Sequence, residues 1–244
     1  MKYLNAIAFT AVITVNILSN TLPFNGQTQQ MISDRLRVLI TPAGYTFSIW
    51  GLIYLLVFAF VVGAISRDRR RVRMVGPAFL VSCGANMGWL FAWHWNQPVL
   101  ALGFMFLLLG SLITIKVRLG ADPPRSSFDR WTADIPFEVY LGWISVATIV
   151  NVAVVLEYLD WNAMGINPET WTIAMMAVAV LLAFLALVAW GSAPFALVIA
   201  WALVGISVAN PSIAGINWSG WIGAAVILAL VVYTWVGRRG ISRA

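Results

Sequence analysis

The feature that most restricts the fold of this chain is a series of long apolar runs separated by short polar segments. A helix needs about 20 apolar residues to cross a bilayer, whereas a strand of a transmembrane barrel needs about half that number in alternating order. Only 10% of the residues are charged, against roughly a quarter in a soluble domain. The sequence therefore predicts an all-α integral membrane protein.

Eight runs are predicted as membrane-spanning helices, at residues 4–22, 42–65, 75–93, 99–117, 135–156, 170–190, 195–209 and 218–236. The first is interpreted as a retained helix, since no small-x-small cleavage site follows it. Pro42 suits the start of the second helix, because a proline at the first helical position loses no hydrogen bond. The uncharged GSAP sequence at residues 191–194 is expected to separate the sixth helix from the seventh.

Basic residues follow alternate apolar runs and predict the orientation. They occur at Lys2 and within residues 67–73, 116–130 and 238–243. With eight spans, all of these fall on one side, which the positive-inside rule assigns to the cytoplasm together with both termini. This distribution accounts for the net charge of +6 without a nucleic acid partner. The predicted location is a bacterial inner (plasma) membrane, which the chain crosses several times.

The fifth predicted helix carries aromatic and amide side chains within an apolar run. At about 100° per residue, Tyr140, Trp143, Ala147 and Asn151 fall along one stripe. An unpaired amide in hydrocarbon costs several kcal/mol. We therefore expect Asn151 to face protein or a polar cavity rather than lipid.

Similar stripes occur on two other predicted helices: Phe47, Trp50 and Tyr54 on the second, and Asn86, Trp89 and Trp93 on the third. One interpretation is ordinary packing, because tryptophan is common at membrane interfaces and asparagine can join helices. The other is a pocket for a flat hydrophobic ligand, which needs aromatic walls with a few polar groups. Periodicity alone leaves both interpretations open.

At these residues the sequence resembles the TspO/MBR family, the tryptophan-rich sensory proteins and translocator proteins. The family pattern Y-x-x-W-x-S-x-A-T-x-x-N is matched at residues 140–151, and N-x-x-W is matched by Asn86 and Trp89. A following P-x-L-A-L is matched at residues 98–102, and P…F…V-W-T-x-L-Y is approximated within residues 42–54. The resemblance covers roughly residues 4–156.

The resemblance implies a TspO-like five-helix bundle over residues 1–156 and about three accessory helices over residues 157–244. It also implies that porphyrins or related flat molecules bind between the helices. Carried over residue by residue, the candidate ligand-binding residues are Trp50, Tyr54, Asn86, Trp89, Trp143, Ala147 and Asn151. No cofactor is required by this interpretation, a bound porphyrin is the candidate ligand, and a homodimer is a candidate assembly.

The chain departs from the family pattern at two places that bear on the site. Gly51 stands where the family usually has threonine, and Glu138 stands where a proline is usual. These differences leave the identity of the ligand open.

Four further residues carry reactive or ionisable groups. His94 could ligate a haem iron, but an interfacial imidazole is the favoured interpretation. Asp134 and Glu138 share a helix face, and a helix N-terminal cap is favoured over a proton relay. Cys83, the only cysteine, is interpreted as a small core residue.

The sequence contains no phosphate loop, HExxH, CxxC or Ser-His-Asp pattern, and we predict no catalytic or metal-binding residues. The favoured function is a membrane-embedded binding protein or sensor for a flat hydrophobic ligand. The alternative is a secondary transporter of a small hydrophobic or amphipathic solute, which would favour charged groups and broken helices inside the membrane. A membrane enzyme with an apolar substrate ranks third.

Overall fold

The computed structural model describes residues 1–22, 24–36, 38–66 and 69–241. Over these residues the chain is helical and contains no strand, which confirms the predicted all-α membrane fold. The α-helices are α1 (Lys2–Thr21), α2 (Gln29–Arg35), α3 (Ile49–Ser66), α4 (Arg69–His94), α5 (Pro98–Gly120), α6 (Ser127–Asp129), α7 (Ile135–Tyr158), α8 (Pro168–Trp190), α9 (Ala193–Ala209) and α10 (Ala214–Ile241). A π-helical turn, Arg130–Asp134, joins α6 to α7.

Seven helical stretches within the described residues are long and apolar enough to cross a membrane. α9 is also apolar, but its 17 residues fall short of the roughly 20 that span a bilayer without tilt or thinning. The break between α8 and α9 lies where it was predicted. Gly191 adopts a left-handed conformation (φ 59°) and its N–H donates to the Leu187 carbonyl oxygen, which ends α8. The eight-span topology stays a prediction.

Orientation also stays a prediction, because the fold does not distinguish the two sides of a membrane. Of the predicted basic clusters, Arg67 and Arg243 lie outside the described residues. α4 begins at Arg69, six residues before the predicted start at residue 75, so part of the second basic cluster is helical.

The chain forms two compact units. The first contains Met1–Arg37 and Ser48–Leu159, and the second contains Val38–Phe47 and Asp160–Ala244. The sequence placed the division between residues 156 and 157, and a domain boundary there stays a prediction. Nothing in the sequence indicated that a segment from the first polar loop packs with the last three helices.

The five long helices described in the first unit form a closed ring. The most extensive contacts pair α1 with α3 and α4, α5 with α4 and α7, and α3 with α7. Each helix therefore has two neighbours, and side chains from α4 and α7 meet across the interior. This arrangement places one face of each helix toward a common space.

The second unit packs α8, α9 and α10 against one another, with the segment Val38–Phe47 lying along α9. The Ala43 N–H donates to the Gly205 carbonyl oxygen at 3.0 Å, and the Trp201 Nε1–H donates to the Thr46 carbonyl oxygen at 3.0 Å. A Cβ atom added at Gly205 would collide with the Thr46 side chain. Gly205 therefore permits the close approach of this segment.

The predicted helix start at Pro42 is wrong. The α-helix begins at Ile49, after a 3-10 turn at Gly44–Ser48. The physical reason is that backbone groups of residues 38–47 form hydrogen bonds with α9 in place of the regular hydrogen bonds of an α-helix. Phe47 consequently lies outside α3, and the stripe predicted on that helix reduces to Trp50 and Tyr54.

Candidate functional site

Aromatic side chains from α3 and α7 meet inside the ring. Trp50 stacks on Tyr54 with ring centroids 5.4 Å apart. The Trp50 ring also makes edge contacts with Tyr140 at 5.8 Å and with Trp143 at 6.4 Å. Helical spacing accounts for these contacts, since each helix presents its aromatic residues three or four positions apart.

Amide side chains continue this cluster onto α1 and α4. The Asn86 Nδ2 donates to the Tyr140 hydroxyl oxygen at 3.2 Å, and the Asn16 Nδ2 donates to the Asn86 Oδ1 at 3.0 Å. The Asn86 side chain is only 1% exposed. These bonds supply the partners that buried amides require.

A second group of contacts lies nearer the His94 end of α4. The Trp89 Nε1–H donates to the Asn151 Oδ1 at 3.0 Å, and the Asn151 Nδ2 donates to the Ala147 carbonyl oxygen at 2.8 Å. Trp89 also stacks on Trp93 with ring centroids 5.7 Å apart. Asn151 therefore faces protein, as its place in an apolar helix predicted.

The structure brings the predicted stripes together within the first unit. Trp143 and Asn151 are buried, while Trp50, Trp89 and Ala147 are half-buried. We call the set of Trp50, Tyr54, Asn86, Trp89, Tyr140, Trp143, Ala147 and Asn151 the aromatic–amide site. Ligand binding by these residues stays a prediction.

Two members of the network were not among the predicted ligand-binding residues. Tyr140 lay on the predicted stripe, and its hydroxyl is now seen to accept from Asn86. Asn16 is a mid-helix amide in an apolar run, which was the available signal, and it reaches Asn86. Asn20, one turn further along α1, is exposed, so only the first of these two asparagines faces the interior.

The two departures from the family pattern have different structural consequences. Gly51 is exposed, and a Cβ atom added there would meet nothing within 4 Å. A side chain at position 51 would therefore point away from the aromatic–amide site. Glu138 is 1% exposed and takes part in a buried ion cluster.

The opposite end of the ring, which we call the Arg71 end, contains buried ion pairs. Arg71 binds Asp134 through two hydrogen bonds of 3.0 Å. Glu138 Oε1 accepts from Lys116 Nζ at 2.6 Å and from Arg130 at 2.6 Å. These pairs join α4, α5, the π-helical turn and α7.

The predicted capping role of Asp134 and Glu138 is wrong. Neither forms a side-chain cap of α7, and both instead bind basic side chains. The reason is that the helix does not begin at Ile135. The chain is already helical from Ser127 through the π-helical turn, so that turn offers few free N–H groups to cap.

His94 is the last residue of α4 and is fully buried within the protein. Its place at the membrane interface stays a prediction. The imidazole Nδ1 lies 2.8 Å from the Leu90 carbonyl oxygen, and the ring makes an edge contact with Phe24. The His94 carbonyl oxygen accepts from the Asn25 Nδ2 at 3.0 Å. The first polar loop thus covers this end of α4. Within the described residues, no group of three or more metal-ligating side chains occurs.

Comparison with protein-family models decides the family. The model described as TSPO-like protein matches residues 2–233. The chain belongs to the TSPO-like protein family. Comparison with curated proteins and with solved structures gives no match.

The match extends beyond the 4–156 range expected from the resemblance. It passes through α8 and α9 and reaches residue 233 in α10, so the TSPO-like family description includes the second unit. Family membership suggests a membrane sensor or binding protein and agrees with a multi-pass membrane location.

Proposed function

We propose that this TSPO-like protein binds a flat hydrophobic ligand, such as a porphyrin or a related tetrapyrrole, at the aromatic–amide site. The observation that carries the proposal is that three helices of the ring meet through aromatic and amide side chains. Trp50 contacts Trp143, and Trp89 and Asn86 bind Asn151 and Tyr140 on the same stripe of α7. Pockets for such ligands combine aromatic walls with a few polar groups that fix orientation. An indole face can stack on a conjugated macrocycle.

The polar groups of the site also favour binding. The Tyr54 hydroxyl is buried and has no hydrogen-bond partner among the described residues. A buried hydroxyl without a partner costs free energy, roughly 1–3 kcal/mol. A ligand with a carbonyl or carboxylate oxygen would satisfy it.

A tryptophan-fluorescence titration tests this proposal. Protoporphyrin added to the purified full-length protein in phosphatidylcholine nanodiscs should quench emission in a saturable manner, because the three indoles line the site. A long-chain fatty acid of similar hydrophobicity serves as the control ligand and should not saturate. Quenching that rises linearly with porphyrin, or equally with the fatty acid, would contradict a specific site.

A secondary transporter of a small hydrophobic or amphipathic solute is the second candidate function. The buried ion pairs of Glu138 with Lys116 and Arg130 favour it, because ionisable groups inside membrane proteins commonly mark substrate or ion pathways. Proteoliposome uptake of the same porphyrin separates the two. Binding without accumulation supports the sensor, whereas uptake that depends on Glu138 supports the transporter.

A further inference from the structure

A layer of phenylalanine rings separates the aromatic–amide site from the Arg71 end. Phe60, Phe79 and Phe137 come from α3, α4 and α7 and are each at most 2% exposed. Their ring centroids are 4.9 to 6.0 Å apart, and all contacts are edge to face. We call these residues the phenylalanine plug.

The order of residues along α4 fixes the position of this plug. Arg71 comes first, Phe79 about two turns later and Asn86 two turns after that. Cys83 lies between Phe79 and Asn86 and is buried. The only cysteine of the chain thus lies on the site side of the plug.

The Glu138 ion pairs lie level with the plug and hold the surrounding helices together. Glu138 directly follows Phe137 in α7, and its carboxylate binds Lys116 of α5 and Arg130 of the π-helical turn. Removing one partner of a buried ion pair leaves an uncompensated charge. Loss of the Glu138 charge should therefore loosen both α5 and the turn from the base of α7.

The π-helical turn supplies a place where this end can bend. The Ile135 N–H donates to the Arg130 carbonyl oxygen, five residues back, and Pro136 has no N–H to donate. Such turns often mark functional sites and helix bends. A cavity of about 20 Å³ lies beside the turn and is lined by Phe60, Gly63 and Thr132, among others.

We infer that the phenylalanine plug is a gate to the aromatic–amide site, held shut by the Glu138 ion pairs and hinged at the π-helical turn. The inference rests on the proposed function, since the gate regulates access to that site. With Glu138 paired, the plug closes the interior toward the Arg71 end. When the pairing is lost, water-soluble molecules reach the interior as far as Cys83.

Alkylation of Cys83 tests the gate without any ligand. The full-length protein in phosphatidylcholine nanodiscs is treated with a charged, membrane-impermeant maleimide, and the rate is followed by mass spectrometry. Wild-type Cys83 should react far more slowly than in denaturant. Glu138→Gln should accelerate the reaction at least about tenfold, because the carboxylate that holds two cations is neutralised.

Three further measurements make the result decisive. Phe79→Ala, which opens the plug with the ion pairs intact, should also accelerate alkylation and covers the case in which Glu138→Gln does not fold. Arg125→Gln, which removes the pair with Asp122 at the same end by changing its exposed partner, should leave the wild-type rate. In vesicles of defined orientation, the acceleration should occur only with reagent on the side that carries Arg125.

The gate is overturned if wild-type Cys83 reacts as fast as in denaturant, or if both variants fold and keep the wild-type rate. It is also overturned if Arg125→Gln accelerates alkylation equally, or if reagent on the opposite side is the one that gains access. Because no porphyrin is present, failure of the proposed binding function would leave these rates unchanged.

Discussion

Trp89 and Asn151, on helices that are not sequence neighbours, join α4 to α7 through an indole N–H to amide oxygen bond of 3.0 Å. The Asn151 amide also binds the Ala147 carbonyl oxygen, which fixes its orientation. The indole face of Trp89 is consequently held at a defined angle beside the Trp93 ring. This preorganisation would reduce the cost of placing a planar ligand against it.

Removing one indole from the site should weaken porphyrin binding. Trp143→Ala or Trp89→Ala deletes a stacking wall, and one well-packed aromatic contact contributes up to about 2 kcal/mol, or roughly 30-fold in affinity. Trp218→Ala is the control, because Trp218 is exposed on α10. The fluorescence titration measures all three. Equal small effects would indicate that these tryptophans serve packing and the membrane interface only.

Asn151→Leu should destabilise the first unit by about 1–3 kcal/mol, since the Trp89 Nε1–H would lose its partner in an apolar setting. Thermal unfolding in detergent, compared under identical conditions, measures the change. Asn20→Leu is the matched control on an exposed amide and should change the midpoint little. Equal shifts in both variants would argue against a structural role for the bond between Trp89 and Asn151.

Asp134→Asn should be more destabilising than Arg125→Gln. Asp134 pairs with Arg71 through two hydrogen bonds and both side chains are buried, so the substitution breaks a buried ion pair, at a cost of about 3–5 kcal/mol. The Arg125 side chain is exposed and pairs with Asp122, and such pairs contribute up to about 1 kcal/mol. Unfolding by increasing denaturant gives both values. A similar loss in the two variants would contradict this ranking.

Gly205→Ala should detach the segment Val38–Phe47 from α9, because the new methyl group would collide with Thr46. Overpacking of this kind costs about 1–3 kcal/mol. Combining it with Thr46→Ala removes the two closest atoms and leaves only Pro42 Cβ, at 3.1 Å, so the double variant should recover part of the loss. Gly103→Ala, with open space around it, is the control. Unfolding midpoints measure these changes. If the double variant is no more stable than Gly205→Ala alone, a collision with Thr46 is not the cause of the loss.

Reporter fusions should place the loop at Asp160 outside the cytoplasm and the loop at Arg125 inside. The expectation follows from the basic residues near the ends of alternate helices. A phosphatase active only outside and a fluorescent protein active only inside give opposite signals at the two sites. Identical signals, or the reverse pair, would show that the chain crosses the membrane in another way.

Helical periodicity predicted the stripes of the site because the 100° step places Tyr140, Trp143 and Asn151 on one face whatever the rest of the chain does. It could not predict their partners. Whether Asn86 meets Tyr140 or Asn16 depends on which helices become neighbours in the ring, and that is a property of packing across long sequence separations.

The ion pairs at the Arg71 end could not be predicted, because one of them depends on a local irregularity of the helix. In a regular α-helix, Arg130 and Glu138 are eight residues apart and point about 80° from each other. The extra residue in the π-helical turn makes those eight steps equivalent to seven, and the two side chains come within about 20° of one face. The irregularity that creates this contact has no reliable signature in a single sequence.

The contact between residues 38–47 and α9 joins two parts of the chain that are synthesised at different times. Thr46 and its partner Trp201 are 155 residues apart, so a ribosome releases the segment long before its binding surface exists. During that interval its backbone groups must be hydrated or held by the insertion machinery. A chain that stops after Leu159 would carry this segment without its natural partner, and its Ala43 N–H and Thr46 carbonyl oxygen would need other hydrogen-bond partners.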